Sequence, residues 1–101
     1  MSNASTKEQR SEPFSRVFTI VNQRGLHARA SAKFVQTVDA HDADVQVQKD
    51  GISVGGTSIM GLMMLAASPG CSIRVQAKGP DAAALLDALE ALIADRFGEE
   101  A

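Results

Sequence analysis

The residues best suited to chemistry are a histidine and an arginine that stand two positions apart in the run Gly25-Leu26-His27-Ala28-Arg29. The glycine predicts a turn, and helical spacing follows it, so we expect His27 at the start of a helix. Backbone N–H groups at a helix start lack intrahelical acceptors and carry partial positive charge, so they attract anions. Arg29 adds a guanidinium fork that fits phosphate oxygens. This combination predicts a site that holds a phosphoryl group.

His27 is the candidate nucleophile, because we expect positive surroundings to favour neutral imidazole with a free nitrogen lone pair. The amides near Ala28, Arg29 and Ala30, together with the Arg29 side chain, are the candidate phosphate ligands. The alternatives are a solvent-exposed loop histidine and a solvated charge at a helix end. An arginine beside a helix N-terminus costs up to ~1 kcal/mol. A charge-assisted hydrogen bond to a bound anion contributes ~1.5–3 kcal/mol and would offset that cost.

Composition limits the remaining function classes. The chain has 101 residues, 45% of them hydrophobic, which predicts one small domain with a single core. A net charge of -2 and no cluster of Lys and Arg argue against nucleic acid as a partner. The single cysteine, Cys71, excludes an internal disulfide and is expected to be a small core residue, and the two scattered histidines do not form a zinc pattern. Without a signal-peptide pattern or an apolar run of ~20 residues, we predict a cytoplasmic protein that has no metal, cofactor or membrane insertion.

The apolar pattern predicts the order β-α-β-β-α-β-α within a domain spanning residues 13–98. Residues 1–12 are polar and without periodicity, so they are interpreted as a disordered tail or an expression remnant. Alternating residues around Val45 and Val47 indicate a strand with one wet face, and Lys49-Asp50-Gly51 indicates a hairpin turn. The order predicts an α+β fold with a four-stranded antiparallel sheet and three helices on one face. The predicted elements are strands over 13–21, 43–48, 52–54 and 71–78, and helices over 28–38, from Thr57 or Ser58 to Ala67, and from the Gly79-Pro80-Asp81 start to Gly98.

The second predicted helix has no polar face, although a small domain can cover only one side of it. We assign Leu62 and Leu65 to the core. The remaining apolar residues then form an exposed patch beside the His27 loop, where flexible methionines could adapt to more than one partner. The alternative is that these residues are ordinary core. The patch comprises Ile59, Met60, Met63 and Met64.

The His27 motif and the second motif, Gly56-Thr57-Ser58-Ile59-Met60-Gly61-Leu62-Met63, together resemble HPr, the histidine-containing phosphocarrier family of the bacterial phosphotransferase system. The resemblance extends from about Phe14 to Phe97. It implies an open-faced β-sandwich, and a carrier that takes a phosphoryl group from phospho-Enzyme I and delivers it to an Enzyme IIA. We expect the carrier to be a monomer.

The resemblance also implies roles for individual residues. His27 matches the histidine that the family phosphorylates on Nδ1, and Arg29 matches the phosphate-binding arginine. Ser58 matches the serine that an HPr kinase/phosphorylase modifies in many relatives, although a helix cap explains it equally well. Arg24 is expected to contribute to partner docking or to be a simple surface residue. Where the family usually has proline, this chain has Ala30, which keeps one more N–H donor near the anion.

Two other functions stay open at this stage. One is a regulatory paralogue that acts mainly by binding proteins through Ser58 and the methionine surface. The other is a small phosphohydrolase, similar to acylphosphatases, in which Arg29 would hold phosphate and His27 would act as acid or base. The choice of Enzyme IIA, between sugar transport and nitrogen-type regulation, is also left open by the sequence.

Overall fold

The computed structural model describes residues 14–65 and 67–99, so the predicted N-terminal tail lies outside the described residues. Four strands and three helices follow one another in the predicted order. The elements are β1 (Phe14–Thr19), α1 (Ala28–Asp39), β2 (Asp44–Lys49), β3 (Ile52–Gly55), α2 (Ile59–Met64), β4 (Ser72–Lys78) and α3 (Ala82–Ala94).

The four strands form one antiparallel sheet in the order β1-β4-β2-β3. In the central pair, Val45 lies opposite Ala77 and Val47 lies opposite Val75, and all four side chains are buried. The residues between them along each strand are exposed or partly exposed, as the alternating sequence predicts. Within the described residues, the helices cover one face of the sheet and the side chains on the other face are exposed or partly exposed, which confirms the open-faced arrangement.

The core between the sheet and the helices is almost entirely aliphatic, with a few phenylalanines. Phe34 from α1 and Leu62 from α2 are completely buried, as are Leu85 and Leu89 from α3. Burial of a side chain of this size contributes about 1.5–3 kcal/mol. The core therefore fixes the three helices, including the start of α1, where the candidate site lies.

Helix α2 is shorter than predicted. It ends at Met64 and does not continue to Ala67. Leu65 caps it and is buried in the core. Two residues further on, the Ala67 carbonyl accepts a hydrogen bond of 2.9 Å from the Leu26 backbone N–H. This bond holds Ala67 against the loop before α1.

The predicted end of the third helix at Gly98 is also wrong, since α3 ends at Ala94 and a separate turn follows. In this turn Arg96, Phe97 and Gly98 all have left-handed backbone angles, with φ of 58°, 55° and 79°. Each non-glycine residue in that region costs roughly 1–2 kcal/mol. Burial of the Phe97 ring and a 2.7 Å hydrogen bond from Lys33 Nζ to the Phe97 carbonyl oppose that cost. The turn redirects the chain toward the start of α1.

Candidate functional site

The loop before α1 requires glycine at position 25. Gly25 has a φ of +63°, and a Cβ atom built on it would lie 2.2 Å from the Ala67 carbonyl oxygen. Any other residue would face both an unfavourable backbone angle and a clash. The close approach lets the next residue, Leu26, bond to Ala67 and enter the core. His27 then follows at a fixed position.

His27 is the N-cap residue of α1, with extended backbone angles, and its side chain makes no capping bond. The first intrahelical hydrogen bond runs from the Ser31 N–H to the His27 carbonyl, at 2.8 Å. The amides of Ala28, Arg29 and Ala30 therefore precede the helical hydrogen-bond ladder and have no acceptor among residues 14–65 and 67–99. No acidic residue occupies the first turn of α1. The predicted position of His27 at a helix start is confirmed.

Arg29 lies in the first turn of α1 with an exposed side chain. The ion pairs found among residues 14–65 and 67–99 do not include it. Arg29 is one residue beyond the start of α1 and has no acidic partner in this part of the chain. Its guanidinium therefore adds positive charge to the helix N-terminus, which is already positive. Phosphate binding by this group stays a prediction.

The His27 side chain contacts a residue that sequence reasoning did not include. Its Nε2 atom lies 2.6 Å from Oε2 of Glu99, and the two side chains are 25% and 17% exposed. The hydrogen bond with His27, followed by one from Asn22, holds the pKa of Glu99 below its ordinary value despite partial burial. The carboxylate is therefore ionised at neutral pH and can only accept hydrogen bonds.

Asn22 bonds to both Glu99 and the loop that carries His27. It is fully buried, and its Nδ2 donates to the Gly25 carbonyl at 2.8 Å and to Glu99 Oε2 at 2.9 Å. The Asn22 Oδ1 atom is buried without a hydrogen-bond partner in the described part of the chain. The side chain thus keeps one unsatisfied acceptor while its amide nitrogen fixes the loop and the carboxylate together.

These contacts correct the sequence-based expectation of purely positive surroundings for the imidazole. The ring stands between the positive start of α1 and a carboxylate from the other end of the domain. Two signals in the sequence pointed weakly to this arrangement: a glycine at position 98 after a helical pattern, and an asparagine at position 22 close to a glycine turn. Neither signal identifies His27 as the partner.

The predicted α2 patch, Ile59, Met60, Met63 and Met64, is exposed. Met60 and Met64 are 72% and 75% exposed, whereas Leu62 and Leu65 are buried as expected. Ser58, and not Thr57, caps α2, since its Oγ accepts a 2.9 Å hydrogen bond from the Gly61 N–H. The chain leaving α2 bonds to the His27 loop through Ala67. Arg24 is an exposed residue of that loop.

Other candidate residues lie apart from this site. Cys71 is only partly buried, so its assignment as a core residue is confirmed in part. Hydrogen bonding with Ser68 lowers the pKa of its thiol. His41 bonds through Nδ1 to the Thr37 carbonyl. Across the described residues, no group of three or more potential metal ligands occurs. The helices described here are also too short and insufficiently apolar to span a membrane.

Comparison with known proteins gives consistent matches. Residues 14–95 match the family described as "PTS HPr component phosphorylation site". The chain is 49% identical to the phosphocarrier protein HPr of Cupriavidus necator, over 80% of this chain and 91% of that protein. It is similar to the crystal structure of HPr-C-His from Thermoanaerobacter tengcongensis, with a TM-score of 0.83, 40% identity and coverage of 87% and 99% of the two chains. A crystal structure of an HPr dimer from the same organism matches with a TM-score of 0.68 and 41% identity, over 81% of this chain and 94% of that chain.

Proposed function

Since this chain belongs to the HPr family of phosphocarrier proteins, we propose that its His27 accepts a phosphoryl group from phospho-Enzyme I and passes it to an Enzyme IIA. The observation that carries the proposal is the position of the imidazole at the N-terminus of α1. Its Nε2 faces a carboxylate, so Nδ1 is the nitrogen left to react. A nucleophile therefore stands at the N-cap of a helix whose first turn carries Arg29, and N-terminal amides and a guanidinium suit a phosphoryl dianion.

The transfer exchanges one P–N bond for another. The Nδ1 lone pair of neutral His27 forms a bond to phosphorus while the P–N bond of the donor phosphohistidine breaks, and that electron pair returns to the donor nitrogen. The proton on Nε2 of His27 stays in place. The amides of Ala28, Arg29 and Ala30, with the Arg29 side chain, bind the phosphoryl oxygens during the in-line displacement. The same steps in reverse deliver the group to the acceptor.

A carrier must bind its phosphoryl group strongly enough to receive it and weakly enough to release it. His27 is partly exposed and Arg29 is exposed, so solvent screens their contacts with the bound group. An open site also lets the ring of a partner histidine approach along the line of transfer. Both features favour a transient intermediate over a stable product.

The α2 patch is the proposed docking surface for Enzyme I and Enzyme IIA, with Arg24 at its edge. Exposed methionines adapt to different shapes, which suits two partners used in turn. Phosphorylation of Ser58 by an HPr kinase/phosphorylase would add about -1.5 to -2 charges at the start of α2 and hinder docking without unfolding the helix. The proposal includes a monomeric carrier that works in the cytoplasm.

The test is incubation of the purified protein with phosphoenolpyruvate and Enzyme I, followed by mass mapping of the modified residue. We expect one acid-labile, alkali-stable phosphate on His27 and no label on the His27→Ala variant. Catalytic release of inorganic phosphate from a small substrate would support the phosphohydrolase instead. Absence of label on the folded wild-type protein would overturn the carrier function.

Two matched variants test the phosphate site. Arg29→Ala removes the proposed anion ligand, and we expect phosphorylation to slow about 10–100-fold, since hydrogen bonds to charged groups contribute ~1.5–3 kcal/mol. Arg74→Ala removes an arginine from the open face of the sheet and should leave the rate unchanged. Equal rates for the two variants would contradict the role of Arg29.

A regulatory paralogue remains the second candidate, because the exposed α2 patch would serve protein binding even without phosphoryl transfer. Binding assays with Enzyme I separate the two functions. A carrier should lose phosphoryl transfer in His27→Ala and keep it in Ser58→Ala. A paralogue acting mainly by binding should show slow transfer in the wild type and altered partner affinity in Ser58→Ala.

A further inference from the structure

We propose that Glu99 is a positioning residue that holds the His27 ring in the Nε2–H tautomer, leaves Nδ1 as the phosphoryl acceptor, and balances the charge of the phosphorylated ring. This inference rests on the proposed phosphocarrier function. It assigns a role to a residue beyond α3 that lies far from the His27 motif in sequence.

The tautomer follows from the hydrogen bond itself. A neutral imidazole has one nitrogen that donates and one that accepts. The Glu99 carboxylate has no proton to donate at neutral pH, so the 2.6 Å contact is a hydrogen bond only when Nε2 of His27 carries the proton. The lone pair of the neutral ring then lies on Nδ1. Orientation of a reactive histidine by a carboxylate on its other nitrogen is a common arrangement in active sites.

The carboxylate is itself held in place by the loop that presents His27. Asn22 Nδ2 donates to the same Oε2 atom at 2.9 Å. The side chain of Asn22 is fully buried and bonded to Gly25, so it moves with the glycine turn. Loop, carboxylate and ring therefore form one connected unit.

The backbone just before Glu99 is strained, and this strained turn places Glu99 beside His27. Arg96 and Phe97 adopt left-handed angles that cost roughly 1–2 kcal/mol each, and such strain persists where surrounding structure fixes it. Buried Phe97 anchors the turn, and the Glu99 N–H bonds to the Arg96 carbonyl at 2.9 Å. A regular continuation of α3 would not turn the chain back at this point. The turn thus delivers the carboxylate to the ring.

Charge balance gives Glu99 a second role after transfer. When Nδ1 of His27 bonds to phosphorus and Nε2 keeps its proton, the ring gains a formal positive charge, and no proton needs to leave. The carboxylate beside Nε2 offsets that charge at 2.6 Å. A protonated phosphoimidazole is also the better leaving group for the next transfer, because the nitrogen departs as a neutral ring.

The first test is nitrogen NMR of ¹⁵N-labelled protein at about pH 8.5, two units above the ordinary histidine value. In the wild type we expect one protonated nitrogen, Nε2, and one bare nitrogen, Nδ1. In Glu99→Ala both signals should shift toward exchange-averaged positions, and Glu99→Gln, which keeps an acceptor, should restore separate signals. Glu90→Ala, which removes a carboxylate that pairs with Arg16, should match the wild type. A wild-type spectrum with averaged signals, or with the proton on Nδ1, would overturn the proposal.

The second test is the rate of phosphorylation by Enzyme I, with each variant first checked for cooperative unfolding. We expect Glu99→Ala to slow labelling about tenfold, Glu99→Gln to lie between it and the wild type, and Glu90→Ala to be unaffected. If Glu99→Ala is labelled at the wild-type rate, the positioning role is wrong although the carrier function stands. If the wild type is not labelled, the carrier function fails, while the NMR result still decides the tautomer.

Discussion

His27 Nε2 and Glu99 Oε2 lie 2.6 Å apart although 72 positions separate the two residues along the chain. The contact joins the loop after β1 to the turn after α3, so both ends of the domain build the candidate site. The Glu99 carboxylate also accepts a hydrogen bond from buried Asn22. A change in the ionisation or the position of Glu99 should therefore change the stability of the fold.

Replacement of Asn22 by an aspartate should destabilise the domain strongly at neutral pH. The change puts a carboxylate oxygen where Nδ2 now donates to Gly25 and Glu99. Two acidic groups would then face each other in a buried position, and the Gly25 carbonyl would lose its donor. We expect a loss of about 3 kcal/mol or more in the free energy of unfolding, measured by urea titration.

The double variant Asn22→Asp with Glu99→Gln tests the cause of this loss. A glutamine amide can donate to the introduced carboxylate and removes one of the two charges, so part of the stability should return. Purely additive effects of the two changes would show that Asn22 and Glu99 are not coupled.

Acid should remove the stability that ionised Glu99 contributes. The hydrogen bonds from His27 and Asn22 lower the pKa of Glu99 in the folded state, so the folded carboxylate binds a proton less readily than the unfolded one. The stability advantage of the wild type over Glu99→Gln should be full at pH 6–7. It should decrease once the pH falls below about 4.3, the ordinary glutamate value, and vanish below the lowered folded value. Urea titrations of both proteins across this range measure the difference, and a constant difference down to pH 2 would contradict the assignment.

Variants of Ser58 should distinguish its role as the cap of α2 from its proposed role in partner docking. Ser58→Ala removes the Oγ that accepts from the Gly61 N–H, and we expect a loss of about 1 kcal/mol in the free energy of unfolding. Ser58→Asp keeps a capping acceptor and should retain the wild-type stability, but it places a charge beside the α2 patch. Calorimetry should therefore detect the alanine variant, and Enzyme I binding should detect the aspartate variant. Equal stability of all three proteins would show that the cap contributes nothing.

Ala30→Pro should preserve the fold and retain phosphorylation at a reduced rate, because it removes one of the amide donors proposed for the phosphoryl group. Ala30 is the third residue of α1, and its N–H precedes the first intrahelical bond, so proline removes no helical hydrogen bond there. We expect a change in the free energy of unfolding within about 1 kcal/mol and a phosphorylation rate within about tenfold of the wild type. A variant that folds but is not phosphorylated would show that the Ala30 N–H is required for phosphoryl binding.

The features of this protein that depend on local pattern could be predicted from its amino-acid sequence. Alternation around Val45 and Val47 predicted a strand with one buried face, because adjacent side chains point to opposite sides of a sheet. The glycine turn before His27 predicted its place at the helix start. The exposure of Met60 and Met64 followed from a helix with more apolar surface than a small domain can cover.

The environment of the imidazole depends on contacts that form when the chain folds, and it could not be predicted from local pattern. Local propensity disfavours left-handed angles at Arg96 and Phe97, so a pattern-based interpretation continued the third helix to Gly98. Burial of the Phe97 ring and the bond from Lys33 overcame that preference, and neither contact is local in sequence. The resulting turn brought Glu99 to His27. A hydrogen bond between residues so far apart depends on the packed core that fixes both ends, and no local pattern encodes it.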